Sequence, residues 1–438
     1  MSWLRHRQPL LLTALLDGLA LALGLFSISE ARHGVQLNSI QQIIGLIISY
    51  WILSWLFGSY SLLRWPKLSW PLMLQRVGLS ALATLILALL TGWLVKTTPL
   101  ELPLLQRGSL GPLMLFTGIA SIAIRVFLHH LQTKRTTRWS ALVDATEKDQ
   151  IKKEWHRCFN RLEPQLFELN CLRSAFEAPS AMLAVSPIIQ QSVDLQPLLQ
   201  EALVRGMRLT SLAQLAEEEL QRIPAQWLDQ SVLQLGELAD GRQLGLSRQL
   251  KRFADLLISA VLLIFTIPIL IPIALAIYLQ DRGPVFYSQI RTGLFGEPFK
   301  IYKLRTMHQK AETNGPRWSG LNDQRITPMG KWLRQTRLDE LPQLLNIIKG
   351  EMSLIGPRPE RPELEHNLEA EIPNYRLRHL LRPGLSGWAQ VNMAYASSVE
   401  DAELKLSYDL YYLRNYGPWL DLLILMKTIK TVLKGAGR

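Results

Sequence analysis

The sequence predicts a three-part membrane protein. Four transmembrane helices come first, then a cytoplasmic α/β domain, then a basic C-terminal domain with a membrane segment of its own. Three observations carry this prediction. Residues 1–132 hold only 12 of the 84 charged side chains in a chain of 438 residues. Four apolar stretches, near 10–28, 39–60, 77–95 and 108–128, approach the ~20 residues a helix needs to cross the hydrocarbon core. A fifth apolar run, Leu256–Leu279, has no charge in 24 residues. This patterning excludes disordered, collagen-like and coiled-coil chains. Two cysteines, Cys158 and Cys171, exclude a disulfide scaffold.

Residues 1–132 form the first domain. Arg5, Arg7, Arg64, Lys67, Arg76, Lys134, Arg135 and Arg138 fall on one side of the predicted spans. Only Arg32, Lys96 and Arg107 fall on the other. The positive-inside rule therefore places the N-terminus and everything after residue 133 in the cytoplasm. The first apolar run is too long for the core of a signal peptide and is followed by three more, so it reads as a retained span. Asp17 and Arg125 lie within spans. Arg125 is close enough to the cytoplasmic end to snorkel, whereas Asp17 is open to a functional role.

Residues 133–247 form the second domain. Strand-like runs at 139–143, 165–169 and 181–186 alternate with helical segments near 145–161, 190–206 and 212–222. Such alternation predicts a parallel, Rossmann-like sheet. A dinucleotide site needs G-x-G-x-x-G after the first strand. That position reads Val143-Asp144-Ala145-Thr146-Glu147-Lys148, without a glycine, so no nucleotide cofactor is expected there.

Residues 248–438 form the third. By length Leu256–Leu279 is a fifth crossing, but Pro268 and Pro272 sit near its middle. Each removes a backbone donor and crowds the carbonyl four residues back. A re-entrant helix that breaks at Pro268 and leaves on the side it entered keeps residues 280–438 in the cytoplasm; a kinked spanning helix is the alternative. From Arg291 to Arg337 there are ten Lys or Arg against Glu297, Glu312 and Asp323. Such a face suits anionic lipid, a polyphosphate, or both; nucleic acid is disfavoured in a membrane-anchored chain. Asp339 and Glu340 follow, with Asp339 placed as an N-cap and Gly350 as the helix stop. An Asp-Glu pair there is ordinarily capping and dipole compensation. Gly356-Pro357-Arg358-Pro359 and Arg382-Pro383-Gly384-Leu385-Ser386-Gly387-Trp388 are turns fixed by Gly and Pro.

In this order the motifs resemble one family. Gly283-Pro284-Val285-Phe286-Tyr287, Phe299-Lys300-Ile301-Tyr302-Lys303-Leu304-Arg305-Thr306-Met307 and Asp339-Glu340-Leu341-Pro342-Gln343 are three matching stretches. Gly356-Pro357-Arg358-Pro359, Pro383 to Val391 and Tyr408-Asp409-Leu410-Tyr411-Tyr412 are the others. From about residue 248 onward the chain resembles the bacterial sugar transferases, monotopic phosphoglycosyl transferases with an α+β catalytic domain. The four spans and the glycine-free α/β domain resemble the long polyprenyl-phosphate hexose-1-phosphate transferases. The resemblance implies transfer of a sugar-1-phosphate from a UDP-sugar to polyprenyl phosphate with release of UMP. This is the first membrane step of exopolysaccharide, capsule or O-antigen synthesis at the bacterial inner membrane. It implies Asp339 as nucleophile, forming an aspartyl-phosphosugar, and Glu340 as a ligand of Mg²⁺. Lys303, Arg305 and Arg358 match phosphate-contacting residues, and Asp409 a polar residue near the site. The family breaks its re-entrant helix at Ser-Pro; here Ile267 precedes Pro268. Ser386 stands where threonine is usual.

The expected partners are a UDP-sugar (a hexose favoured over an N-acetylhexosamine), polyprenyl phosphate, the bilayer and, compatibly, a second copy of the chain. The C-terminal segment around Trp419–Leu433 reads either as an amphipathic membrane-surface helix or as packing on the catalytic core. The histidines and cysteines show no metal or redox spacing. Two other classes stay open: a catalytically silent scaffold for polysaccharide assembly, and a four-helix transporter or sensor with a cytoplasmic tail.

Overall fold

The structure, a computed structural model, describes residues 8–30, 38–60, 70–94, 107–133, 139–157, 163–177, 182–192, 194–228, 246–309, 311, 323–393 and 398–433. Arg5, Arg7, Arg32, Arg64, Lys67, Lys96, Lys134, Arg135, Arg138, Cys158, Lys310, Glu312 and Arg317 lie outside the described residues. Two compact units are present: residues 1–183 with 200–208, and residues 184–199 with 209–438.

The first unit begins with four helices, α1 (Gln8–Glu30), α2 (Asn38–Leu56), α3 (Trp70–Leu94) and α4 (Arg107–Thr133). Three contain windows long and apolar enough to cross a membrane, Leu10–Ser27, Met73–Thr91 and Leu110–Leu131. In α2 the apolar window is shorter, Ile43–Leu56. It ends before the predicted residue 60 because Gly58 turns left-handed (φ 76°). The next helix starts seven residues earlier than predicted. Arg76 is therefore inside α3 rather than between spans, and donates to the Gly58 carbonyl at 3.1 Å. Leu21, Leu25, Leu46, Tyr50, Leu110 and Leu113 form the bundle core.

Arg125 does not snorkel. It is fully buried and pairs with the equally buried Asp17. Its NH1 donates to Oδ1 at 3.2 Å and its NH2 to Oδ2 at 3.0 Å. Ser59 Oγ and the Ser121 carbonyl accept further bonds at 2.8 Å each. Exposing either charge alone to hydrocarbon is expensive, and mutual pairing inside the bundle removes that need. The two residues left separate by sequence reading are one feature.

Next in the chain come β1 (Trp139–Leu142), α5 (Lys148–His156), β2 (Gln165–Phe167), α6 (Leu172–Glu177), β3 (Met182–Val185), α7 (Pro187–Ser192), α8 (Gln196–Val204), β4 (Arg208–Ser211) and α9 (Leu212–Leu220), of which residues 184–199 and those from 209 on fall in the second unit. The strand order is β2-β1-β3-β4. β1 runs parallel to β2 in the register Ser140–Gln165 to Leu142–Phe167. This is the order of the first four strands of a flavodoxin-type doubly wound sheet. The glycine-free β1 turn is a capping box, with the Asp144 carboxylate accepting from Thr146 N and Glu147 reaching back to Asp144 N. β4 and α6 are additions to the predicted elements.

The second unit is built around α10 (Leu246–Asp281), β5 (Phe286–Thr292), β6 (Pro298–Leu304), α11 (Pro328–Thr336), α12 (Leu344–Lys349) and β7 (Ser353–Ile355). It continues through α13 (Pro362–Glu371), β8 (Gly384–Ser386), α14 (Trp388–Asn392), α15 (Val399–Asn415) and α16 (Pro418–Leu433). β5 and β6 form an antiparallel hairpin from Phe286–Leu304 to Thr292–Pro298. β7 and β8 pair in parallel.

α10 is continuous through Pro268 and Pro272, where the sequence predicts a break. The prolines withhold donors from the carbonyls of Ile264 and Pro268 without ending the helix. Thr266 Oγ1 donates to the Leu263 carbonyl at 3.3 Å, one residue before the expected position of a hydroxyl. Both flanks of this helix are fastened to the same unit. Near its start the Asp255 carboxylate accepts from Ser353 Oγ (2.7 Å) and Leu354 N (3.2 Å). Near its end Ile273 and Ile277 pack with Leu304 and Leu333. Between them Ile264, Phe265 and Ile271 are exposed.

The last helix packs on the catalytic core along one face. Leu420 and Ile424 are buried, while Trp419, Leu422 and Leu433 are exposed. Lys427 turns inward, donating to Asn392 Oδ1 at 2.5 Å and lying over the Trp388 ring. The stretch 209–227 also belongs to this unit. Trp388 Nε1 donates to the Gln221 carbonyl at 2.9 Å, Ile223 N to the Ser407 carbonyl at 2.8 Å, and Arg414 pairs with Glu217 at 3.2 Å.

Candidate active site

The site is assembled on a short 3₁₀ helix, Leu338–Gln343. Thr327 caps α11 by accepting from Gly330 N at 2.9 Å, and Pro328 opens that helix. Arg337 then turns left-handed (φ 60°) and closes it. The new helix starts at Leu338, so Asp339 is not its N-cap; neither it nor Glu340 makes a capping bond. The capping account of this acidic pair fails because Arg337 occupies the boundary. α12 follows directly and stops at left-handed Gly350 (φ 91°), as predicted. Fully buried Asn346 fixes the segment against β6, donating to the Lys300 carbonyl at 2.7 Å.

The two carboxylates are buried side by side but differ in environment. Glu340 is gripped by three cations. Arg358 NH2 donates to Oε1 at 2.6 Å, Lys303 Nζ to Oε1 at 3.0 Å, and Arg337 NH1 to Oε2 at 3.4 Å. Burial alone would raise its pKa, but Arg358, Lys303 and Arg337 hold it well below the usual carboxylate range. Asp339 is 7% exposed, and its Oδ1 is buried without a hydrogen-bond partner. Burial, and next the neighbouring Glu340, push its pKa up to about 6, while Lys303, Arg334 and Arg337 pull the other way. Gln343 Nε2, one turn on, is likewise buried without a partner. One carboxylate is thus favoured in its ionised form and engaged, and the other is desolvated with an open oxygen. That is how environment divides roles between paired acids.

Arg358 is set in place through its backbone. Gly356 and Gly384 let two turns touch: a Cβ on Gly356 would meet the Arg382 carbonyl at 2.3 Å, and one on Gly384 would meet Gly356 N at 2.1 Å. Buried Arg378 donates to the Arg358 carbonyl at 2.8 Å, and Arg291 to the Pro359 carbonyl at 3.2 Å. Arg378 in turn pairs with Asp409 at 3.0 Å, and Lys405 with Glu360. Lys405 and Arg378 hold Glu360 down at about 2 against the upward push of burial.

Of the predicted site residues, Asp339, Glu340, Lys303 and Arg358 converge. Asp409 lies one layer behind, reaching the site through Arg378. Arg305 faces α10, donating to the Ile277 carbonyl at 3.5 Å, and a Cβ on Gly283 would collide with its NH1. Sequence reasoning left Arg334, Arg337, Gln343 and Arg378 without roles. Arg337 carried a signal in its spacing, three residues before Glu340.

Among the described residues no three His, Cys, Asp or Glu converge as a metal site. Mg²⁺ commonly takes only one or two carboxylates, with substrate phosphates and waters completing its shell. The Glu340 carboxylate, with Asp339 beside it, is a donor of that kind, so the residues fit a substrate-completed Mg²⁺ site.

The sequence profile described as bacterial sugar transferase matches residues 246–435. Over 188 residues the chain is 44% identical to the UDP-N-acetylgalactosamine-undecaprenyl-phosphate N-acetylgalactosaminephosphotransferase of Aeromonas hydrophila, covering 43% of this chain and 44% of that protein. It is 37% identical over 187 residues to the UDP-glucose:undecaprenyl-phosphate glucose-1-phosphate transferase of Escherichia coli (strain K12), covering 42% and 40% respectively. The matches thus span under half the length of these two relatives. An uncharacterized sugar transferase of Bacillus subtilis (strain 168) is 40% identical over 189 residues, with 43% of this chain and 89% of that protein covered. The chain belongs to the bacterial sugar transferase family.

Proposed function

We propose that this protein transfers a sugar-1-phosphate from a UDP-sugar to undecaprenyl or a related polyprenyl phosphate, with release of UMP. The observation that carries the reading is the buried, unpartnered Oδ1 of Asp339 beside a Glu340 already held by Lys303, Arg358 and Arg337. Asp339 Oδ1 attacks the phosphorus bonded to the sugar. A P–O bond forms to aspartate, and the bond to the bridging oxygen breaks, with UMP leaving on that oxygen. An oxygen of polyprenyl phosphate then attacks the same phosphorus, displaces the carboxylate and restores Asp339. A desolvated carboxylate is an adequate nucleophile toward an activated diphosphate. Lys303 and the planar fork of Arg358 neutralise the phosphate oxygens. Glu340 keeps both cations aligned before substrate arrives. Mg²⁺, held by Glu340 with Asp339 alongside, supplies further charge neutralisation when bound.

The membrane arrangement follows from the same reading. α1–α4 cross the bacterial inner membrane with the N-terminus and the C-terminal domain in the cytoplasm. α10 is a re-entrant helix that leaves the membrane on the side it entered; the attachment of both its flanks to one domain supports this. The four-stranded domain is a Rossmann-like fold with a structural or regulatory role. The donor class is a UDP-sugar, and the relatives' names include both N-acetylgalactosamine and glucose.

The test is UMP release by the full chain in membranes, with polyprenyl phosphate, Mg²⁺ and a panel of UDP-hexoses and UDP-N-acetylhexosamines. Release with at least one sugar, absent in Asp339→Asn, is expected. Silence across the panel with folded protein would overturn the reading in favour of a scaffold.

A further inference from the structure

A second cluster of cations, apart from Glu340, stands where α10 leaves the C-terminal domain for its apolar run. Arg248, Lys251, Arg252 and Arg382 line one cleft there, with Asp255 as a lining carboxylate. The nearby acids are already engaged. Asp255 accepts from Ser353 Oγ and Leu354 N. Asp421 accepts from Lys251 Nζ at 2.7 Å and Tyr412 Oη at 2.5 Å. Arg252 is engaged too, donating to the Ile347 and Ile348 carbonyls at 2.6 and 2.9 Å. Arg248 and Arg382 are different: neither side chain has a hydrogen bond or ion pair among the described residues. Burial, and then the proximity of Arg248 and Arg252, depress the Arg382 pKa, with Asp255 offsetting them.

Guanidiniums that face one another without carboxylates to spare repel, and an anion relieves that repulsion. Arg382 sits on the Arg382-Pro383-Gly384 turn, whose backbone is locked against Gly356. Its position is therefore fixed before any ligand arrives. Arg248 begins the apolar window Arg248–Gln280, the level at which lipid phosphates lie. Leu250, Phe253 and Leu257 beside it are all exposed.

We propose that this cleft is a phosphate-binding site, separate from the Asp339–Glu340 site, in which Arg248 and Arg382 hold the phosphate of an anionic lipid headgroup or a free phosphate. The inference does not depend on the proposed reaction. Either source offers the oxygens that two planar guanidinium forks bind best.

The experiment uses the full chain in a neutral detergent. Dihexanoylphosphatidylglycerol, dihexanoylphosphatidylcholine and inorganic phosphate are titrated separately, with melting temperature and native mass spectrometry as readouts. The same titrations are run on Arg248→Gln and on Arg248→Gln/Arg382→Gln. Arg248 is exposed and makes no side-chain bond that its loss would break, so the single variant keeps the test valid if the double variant folds poorly. Phosphate bound at the Glu340 site is common to all three proteins and cancels. Tighter binding of phosphatidylglycerol than of phosphatidylcholine, weakened about tenfold or more in the variants, supports a lipid-headgroup site. Equal response to inorganic phosphate, weakened in the same way, supports a free-phosphate site. Indistinguishable binding of both anions by wild type and variants overturns the proposal.

Discussion

Replacing Asp339 by Asn should abolish turnover and stabilise the protein at the same time. The side chain is almost fully buried, and its Oδ1 has no partner. Its pKa rises from an ordinary 3.8 to about 6, which corresponds to about 3 kcal/mol held against the charged form. The folded-state value lies above the unfolded one, so the ionised group costs stability at neutral pH. That cost fades as pH falls through 6 and is absent below about 3.8, where both states are protonated. Asn carries no charge at any pH. At pH 7.5 the variant should therefore melt about 6–12 °C higher, taking 2–4 °C per kcal/mol for a domain of this size. The gap should close as pH is lowered to about 4. The assay is intrinsic-fluorescence melting of both full-length proteins in nanodiscs at one scan rate, from pH 7.5 to 4, with UMP release measured in parallel. Groups beyond electrostatic reach of position 339 are shared and cancel, so the difference reports Asp339 together with its coupling to Glu340. A variant that melts lower than wild type at pH 7.5, or a gap that is constant across this range, would refute the reasoning.

On the proposed nucleophilic role of Asp339 its carboxylate must be ionised, so UMP release should rise with a midpoint near pH 6 and fall about tenfold between pH 7 and pH 5; a pH series at saturating substrate checks it, and a flat profile opposes it. Arg358→Lys forfeits the fork on Glu340 and should lower kcat/KM by about 10–100-fold, read by initial rates of UMP release with the melting temperature as a control. Arg378→Met leaves buried Asp409 and Glu360 facing lost positive charge and should cost about 3–5 kcal/mol, measured as a lowered melting temperature and reduced folded yield.

Features with a local code were readable from the chain. The stop at Gly350 was, because only a left-handed residue ends that helix and glycine takes the conformation freely. The pairing of Asp339 with Glu340 and the rigid turn carrying Arg358 were readable through the order of their motifs. Asp17 and Arg125 were each visible as misplaced charges. Their union was not, since it spans 108 residues and depends on how α1 and α4 face each other. Arg337 adopts a left-handed backbone that arginine rarely takes, so the boundary it sets was invisible, and Asp339 was mistaken for a cap. β4 reads Arg208-Leu-Thr-Ser, too short and polar to show a strand pattern. Arg378 looked like one basic residue among many, because its role depends on the distant carbonyl of Arg358.

The charges at the centre explain why two acids can share so small a buried volume. Asp339 and Glu340 bring two negative charges; Lys303, Arg334, Arg337 and Arg358 bring four positive ones within electrostatic reach. The surplus of two matches the two charges of a sugar nucleotide's diphosphate. The surplus is not spread evenly. Arg334 is committed to Thr306 Oγ1 at 2.9 Å, whereas Lys303 and Arg358 both converge on Glu340 Oε1. An incoming phosphate therefore competes with Glu340, not with Asp339, for the two strongest cations. On the proposed reaction, cations drawn toward phosphate would leave Glu340 with less compensation, and its carboxylate would be the group to hold Mg²⁺. Asp339 has no bond at Oδ1 to give up. Its readiness to attack is stored in the folded protein as burial of an open oxygen, and the stability gained by Asp339→Asn measures that storage.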